Sequence, residues 1–177
     1  MSLDAVGKSM KKFFISMLIT LVGVCASAQK QGDMSVGFNL GVAPCLESGA
    51  SVTNFGLGGK FQYNVTNPVR LEADVDYWFK SNYIEMFDVT ANVHYLFNVG
   101  SKAKVYPLVG IGYGRVKASL DFLGVSLSAA ESKLLVNVGA GIEYPISQSV
   151  SLGAEIKYQY VSEFSRLPIS VGLTYHF

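Results

Sequence analysis

Residues 69–79 read VRLEADVDYWF, and apolar and polar side chains alternate along almost the whole stretch. The odd-numbered positions carry valine, leucine, alanine, valine, tyrosine and phenylalanine, whereas the even-numbered positions carry arginine, glutamate, two aspartates and tryptophan. Successive side chains of a β-strand point to opposite faces of a sheet. The pattern therefore predicts a strand with one apolar face and one face that is mostly charged.

Similar alternation continues from residue 34 to the end of the chain. We predict eight strands, namely Met34–Ala43, Phe55–Val65, Val69–Phe79, Tyr83–Phe97, Ala103–Val116, Lys133–Tyr144, Val150–Tyr160 and Pro168–Phe177. The apolar face of these strands has few interruptions, among them Gly59, Glu85 and Pro107. No linker or low-complexity tract divides the segment, so the sequence predicts one all-β domain.

The apolar face of such a barrel points either inward, as in soluble lipid-binding barrels, or outward to membrane lipid. Glycines such as Gly110, Gly112 and Gly114 lie on the polar face, where a narrow interior requires small side chains. Aromatic residues of the apolar face gather near the strand ends, as they do at the two interfaces of a membrane. We therefore predict an eight-stranded antiparallel up-and-down transmembrane β-barrel, with the soluble barrel as the alternative.

Residues 1–28 have the three parts of a cleavable signal peptide. Two lysines precede the apolar run Phe13–Val24, and the small residues Ala26-Ser27-Ala28 follow it. Met10 stands directly before the lysines and is a second candidate for the start of translation. We predict cleavage after the small residues, which leaves a barrel domain over residues 29–177.

Cysteine usage and charge narrow the class of protein further. A lipoprotein signal at Cys25 is an alternative, but Val24 stands where such signals have a small residue. Cleavage would leave Cys45 as the single cysteine, which predicts a free thiol or an intermolecular bridge. Basic and acidic residues number 14 and 13, so the charge gives no sign of a nucleic-acid partner.

Three segments carry a resemblance to a known family. They are Tyr106–Tyr113 (YPLVGIGY), Val136–Tyr144 (VNVGAGIEY) and Val150–Tyr158 (VSLGAEIKY). Together they resemble the small outer-membrane β-barrel family, the OmpX/OmpA-transmembrane-like or "porin family" group. The resemblance implies the bacterial outer membrane as location and its lipid and lipopolysaccharide as partners. The ending Tyr175-His176-Phe177 is similar to the signal that implies recognition by the barrel assembly machinery, with Tyr175 and Phe177 as its aromatic residues.

The predicted connections alternate between short and mostly longer segments. The short ones are Thr66–Pro68, Asn98–Lys102 and Pro145–Ser149, and the others are Pro44–Asn54, Lys80–Asn82, Lys117–Ser132 and Val161–Leu167. Outer-membrane barrels have short periplasmic turns and longer outer loops. We therefore expect both chain termini in the periplasm.

The polar face places many charged residues inside the predicted barrel. We expect a salt-bridge network formed by Lys60, Arg70, Glu72, Asp74, Asp76, Glu143, Glu155 and Lys157, with Asp88 also pointing inward. Pairing across the Thr66–Pro68 turn would set Lys60 opposite Asp74. An unpaired charge in a dry interior is unfavourable by several kcal/mol, roughly. The alternative is a narrow pore, although eight strands leave little free space.

Residues 117–132 differ from the rest of the chain because their apolar positions have the parity of the interior. These positions are Leu120, Phe122, Val125 and Leu127. We expect this segment to bind an extracellular protein, either as a hairpin that projects around Leu123-Gly124 or through a free sheet edge. The alternative is a loop that folds over the mouth of the barrel.

The sequence favours a non-enzymatic protein that contributes to envelope structure or surface interaction, without a cofactor or metal. Asp74 and Asp76 are two residues apart on one strand face, a spacing that any polar interior produces. His94 and His176 have no matching set of metal ligands. A lipid-modifying enzyme is a less favoured alternative, since it would require a serine, a histidine and an acid at the outer leaflet, where the predicted loops contain no histidine.

Overall fold

The structure is a computed structural model that describes residues 31–46, 53–81, 84–100, 102–122, 125–162 and 164–177. Its strands are β1 (Met34–Pro44), β2 (Thr53–Asn64), β3 (Val69–Ser81), β4 (Ile84–Tyr95), β5 (Phe97–Val99), β6 (Ala103–Phe122), β7 (Val125–Pro145), β8 (Val150–Val161), β9 (Phe164–Arg166) and β10 (Ile169–His176). The described ranges contain no helix that is long and apolar enough to span a membrane. The predicted signal peptide, with Met10 and Cys25, lies outside the described residues.

The ten segments make up eight continuous strands of the barrel, because the two interruptions leave the pairing register unchanged. Along β6, the register that sets Ile84 opposite Ala118 also sets Phe97 opposite Val105, so β5 continues β4. The same holds along β8 for β9 and β10, on either side of Pro168. Proline lacks the N–H that a ladder requires, but its carbonyl oxygen still accepts from the Lys157 N–H at 2.8 Å.

The sheet closes on itself through its first and last strands. β1 pairs antiparallel with β2 on one side and with β10 on the other, from Ser35 opposite His176 to Val42 opposite Ile169. A bridge between Cys45 and Arg166 continues this seam. Closure satisfies the backbone groups that an open edge would expose to lipid. The predicted eight-stranded antiparallel barrel is therefore confirmed.

The predicted connection Lys117–Ser132 is too long, because both neighbouring strands continue through it. β6 extends to Phe122 and β7 begins at Val125, so only residues 123–124 separate them, in agreement with the predicted hairpin around Leu123-Gly124. Strand pairing persists although the apolar parity is reversed.

The predicted loop Val161–Leu167 is also wrong. Val161 pairs with Phe164, and β9 continues to Arg166, which is in register with Gln159 of β8. The predicted eighth strand began at Pro168, whereas residues on both sides of this proline pair with β8. The structure places this proline within the last strand of the barrel, and the pairing register with β8 is the same on both sides of it.

The apolar faces of the strands point outward. Val75, Ile156 and Leu173 are exposed by 47%, 45% and 51%. In contrast, the charged side chains of Arg70 and Glu72 are buried inside the barrel. This arrangement excludes a soluble barrel with an apolar interior, and it is the arrangement that a lipid environment requires.

The interior is narrow enough for some glycines to be essential. A Cβ on Gly172 would lie 2.3 Å from the carbonyl oxygen of Phe38 and 3.0 Å from the Cα of Asn39. Both contacts are with the backbone of β1, which has no alternative rotamer. Gly153 is the register partner of Gly172, yet a Cβ there would have no neighbour closer than 3.6 Å.

We therefore expect Gly172→Ala to lower the free energy of unfolding by about 1–3 kcal/mol, as overpacking does, and Gly153→Ala to leave it nearly unchanged. Urea unfolding of the barrel in phospholipid vesicles measures both. Equal effects of the two substitutions would contradict the packing described here.

Candidate functional site

The centre of the barrel holds an ionic cluster around Lys157. The Nζ atom of Lys157 lies 2.6 Å from Asp74 Oδ2, 3.3 Å from Glu155 Oε2 and 4.0 Å from Glu72 Oε1. All four side chains are almost completely buried. One ammonium group thus compensates carboxylates from β3 and β8.

Lys60 joins this cluster from β2 by reaching across the interior. Its backbone is opposite Asp74, as the sequence predicted, but its Nζ atom lies 2.9 Å from Glu155 Oε1 and 3.7 Å from Glu72 Oε2. The register therefore identifies backbone neighbours correctly, whereas the ion pairs connect strands on different sides of the barrel.

A second cluster lies nearer the short turns and centres on Arg70. Its Nη1 atom donates to Glu143 Oε2 at 2.6 Å, and its Nε atom donates to His94 Nδ1 at 3.3 Å. Because Nδ1 accepts, the ring hydrogen of His94 is on Nε2, which lies 3.1 Å from Glu72 Oε1. Tyr106 stacks on the histidine ring at 4.6 Å and donates its hydroxyl hydrogen to Glu155.

A third cluster lies inside the end of the barrel that contains β9. Arg166 pairs with Asp88, donates to Gln159 and lies over the ring of Trp78 at 4.9 Å. The indole N–H of Trp78 also donates to Asp88, at 3.0 Å. The sequence analysis missed Arg166 because it placed this residue in a loop, although its even-numbered position shares the parity of the interior.

The predicted network residues all lie in the interior, though not in one cluster. Lys60, Glu72, Asp74, Glu155 and Lys157 meet at the centre, and Arg70 and Glu143 meet nearer the turns. Asp76 accepts a hydrogen bond from Asn39 at 3.1 Å. Lys104, which the sequence analysis did not select, is buried in register with Glu143.

Two groups of buried apolar side chains, which we call layers, lie at different heights of the barrel interior. The layer towards the long hairpin contains Ala43, Trp78, Met86, Leu135 and Val161, with Val116 and Phe164 packed against it. The layer towards the short turns contains Leu96, Tyr106 and Leu108. Together with the buried charged and polar side chains, these residues fill most of the described interior.

We therefore expect no large, steady conductance steps from the purified barrel in planar lipid bilayers. A double substitution of Leu135 and Leu108 by glycine, which removes one side chain from each apolar layer, is the matched comparison. Large stable steps from the wild-type chain would contradict a sealed interior and support a narrow pore.

The two histidines lie apart and neither is placed for surface chemistry. His94 is completely buried, and His176 Nε2 lies 2.9 Å from Ser151 Oγ and 3.5 Å from Glu143 Oε1. Asp74 and Asp76 lie inside the barrel. Within the described ranges, no three His, Cys, Asp or Glu residues are arranged to hold a metal ion. Cys45 is a free thiol whose Sγ atom lies 3.7 Å from the carbonyl oxygen of Ser165.

The long hairpin of β6 and β7 continues beyond the rest of the wall. The last pairing of β4 with β6 is at Ala118, and the last pairing of β8 with β7 is at Leu135. Beyond these points, residues 119–122 and 125–132 pair as strands only with the opposite arm of the hairpin in the described chain, and we call this part the ribbon. The predicted surface residues fall in it, with Leu120 opposite Leu127 and Phe122 opposite Val125.

The first described residues and the C-terminal residue meet at the opposite end of the barrel. The N–H of Phe177 donates to the carbonyl oxygen of Met34 at 3.1 Å, and the N–H of Gly32 donates to that of Asn64 at 2.9 Å. Tyr175 and Phe177, the residues of the predicted assembly signal, are exposed on the outer wall with their rings 6.4 Å apart.

Comparison with known proteins identifies solved structures that share this architecture. No curated protein is similar enough in sequence to match the chain. Neisserial surface protein A is 21% identical, with 83% of this chain and 100% of that chain covered and a TM-score of 0.65. The N-terminal β-barrel domain of Pseudomonas aeruginosa OprF is 17% identical, with 84% and 100% covered and a TM-score of 0.58. Ail of Yersinia pestis is 20% identical, with 83% and 99% covered and a TM-score of 0.54.

At these identities the solved structures show a shared fold. The sequence itself matches the family described as "Outer membrane protein beta-barrel domain" over residues 14–177, nearly the whole chain. The outward apolar wall and the closed sheet agree with a bacterial outer-membrane location. This chain belongs to the outer membrane protein β-barrel domain family.

Proposed function

We propose that the chain is a non-enzymatic outer-membrane protein whose barrel anchors the ribbon at the cell surface, where it binds an extracellular protein. In this proposal the termini and the short turns lie in the periplasm. The length of the hairpin supports this orientation, since β6 and β7 have 20 and 21 residues while the turns at the other end are short. Barrels of this class carry their longer connections on the outside.

The unpaired edge of the ribbon is the observation that carries the proposal. Residues 125–132 of β7 have no strand partner on the side away from β6 in the described chain. Their backbone N–H and C=O groups are available to an extended segment of another protein, which would add a strand. An isolated two-stranded ribbon is at best marginally stable in water, so pairing with a third strand would stabilise it.

The strand register sets the apolar residues of the ribbon opposite one another. Leu120 and Leu127 are opposite each other, and Phe122 and Val125 are opposite each other, so all four have the same parity. Ser119 and Ser128 are also paired and have the other parity. The ribbon therefore combines one apolar and one polar register face, which is the pattern of a sheet that packs against a partner on one side.

Replacement of residues 119–128 by an Asn-Gly turn tests the proposal. Ala118 and Ala129 are register partners, so a two-residue turn can join them without altering the barrel. We expect the variant to fold, as seen by a heat-dependent gel shift, and to lose adhesion of expressing cells to protein-coated surfaces. Leu120→Ser with Leu127→Ser should weaken adhesion, whereas the control Ser119→Ala with Ser128→Ala should not. Unchanged adhesion of the folded turn variant would refute the proposal.

A further inference from the structure

Arg115 occupies an unusual position on the outer wall. It is exposed, it follows the lipid-facing alternation of β6, and its register neighbours are Phe87 on β4 and Ser132 on β7. It forms no hydrogen bond or ion pair with any described residue. An arginine without a partner is unfavourable against hydrocarbon but favourable at the level of lipid headgroups.

The residues below Arg115 show where the hydrocarbon ends. Tyr113, one lipid-facing position deeper on β6, is exposed by 57%, and its register partner Leu134 by 61%. Tyrosine is enriched at membrane interfaces because its ring tolerates lipid and its hydroxyl prefers water. The outer wall thus changes from apolar to basic within one outward-facing step along β6.

Lys117 is the next outward-facing residue above Arg115. Its Nζ atom lies 3.1 Å from Glu85 Oε1, and Tyr77 donates its hydroxyl hydrogen to Glu85 Oε2 at 3.2 Å. The charge of Lys117 is partly compensated, and the charge of Arg115 is not.

We propose that Arg115 binds the phosphate group of an outer-leaflet lipid. The hydroxyl of Ser132 lies on the neighbouring strand as a further donor, and the acyl chain of the bound lipid lies along Tyr113 and Leu134. A guanidinium group suits this ligand because its planar fork donates two parallel hydrogen bonds to phosphate oxygens. The site depends on the orientation given under Proposed function but not on residues 119–128 of the ribbon.

Lipid A carries such phosphates in the outer leaflet, and phospholipids carry one phosphate each. The test is native mass spectrometry of the refolded chain with lipid A that carries both phosphates, dephosphorylated lipid A and phosphatidylglycerol. We expect the wild type to retain lipid A and Arg115→Gln to reduce retention about tenfold, the scale of one lost charge-assisted hydrogen bond. Arg115→Lys should keep part of the retention, and the control Lys102→Gln, at the turn end, should keep all of it.

Stronger retention of lipid A than of phosphatidylglycerol assigns the site to lipid A, and equal retention assigns it to lipid phosphate in general. Glu85→Gln should increase retention, because it releases Lys117 from its partner. Unchanged retention by Arg115→Gln, or equal binding of dephosphorylated lipid A by the wild type, would overturn the proposal. The Asn-Gly turn variant should still retain lipid A, so failure of this site and failure of the surface-binding proposal are distinguishable.

Discussion

Replacement of Lys157 by methionine is expected to lower the free energy of unfolding by about 3–5 kcal/mol, the usual effect of removing one partner from a buried ionic group. The ammonium group of Lys157 contacts Asp74 and Glu155 and lies at the limit of contact with Glu72. Methionine has a similar volume, so the variant changes the charge while leaving little empty space. Urea unfolding in phospholipid vesicles, followed by gel mobility with and without heating, gives the change in stability.

Two further variants separate charge from packing. Lys157→Met with Asp74→Asn removes one charge of each sign and should recover part of the lost stability, since the carboxylate left without its closest partner is gone. Lys102→Met changes an exposed lysine in a turn and should have little effect. If the Lys157→Met barrel is as stable as the wild type, the ammonium group of Lys157 does not stabilise the buried carboxylates of the central cluster.

Val75→Arg is expected to lower the free energy of unfolding by about 2–4 kcal/mol in a lipid bilayer, as arginine does on the lipid face near the bilayer midplane. Val75 lies in the middle of β3 and faces outward. The matched control is Val65→Arg, at an exposed position next to the short turn after β2, where the expected change is about 0–1 kcal/mol because headgroups and water are near.

The difference between these positions is the informative quantity. If Val75 faced a dry protein core, arginine there would prevent folding in detergent and in lipid alike. If Val75 faced water, arginine would be tolerated in both. A loss of stability that is large at Val75, small at Val65 and dependent on lipid is the result expected for an outward apolar wall.

Alternation along the strands predicted the barrel, and the glycines of the polar face and the aromatic residues near the strand ends predicted that its apolar face points outward. Residues 69–79 illustrate this, since every second side chain of that stretch lies where the pattern placed it. The register across the turn after β2 was also predictable from turn length, and Lys60 is opposite Asp74 as expected. These features depend on neighbouring strands and on the backbone alone.

Contacts across the interior could not be predicted in this way. Lys60 pairs with Glu155, which is 95 residues away in sequence, because the long lysine side chain crosses the barrel. Arg166 lies on β9, and the sequence did not predict this strand because Pro168 follows it directly in the chain. The reversed parity of residues 117–132 indicated a hairpin around Leu123-Gly124, but the predicted strand ends at Val116 and Lys133 did not extend into it as β6 and β7 do.

The most direct test of the central claim uses the position of tryptophan relative to lipid. The chain has a single tryptophan, Trp78, which lies inside the barrel and is exposed by only 4%. In vesicles whose acyl chains carry bromine, the fluorescence of Trp78 should be quenched weakly, whereas a tryptophan at Val75, Ile156 or Leu173 in a Trp78→Phe background should be quenched strongly. Strong quenching of Trp78 together with weak quenching at these three positions would contradict a barrel whose apolar wall faces lipid and whose charged residues fill its interior.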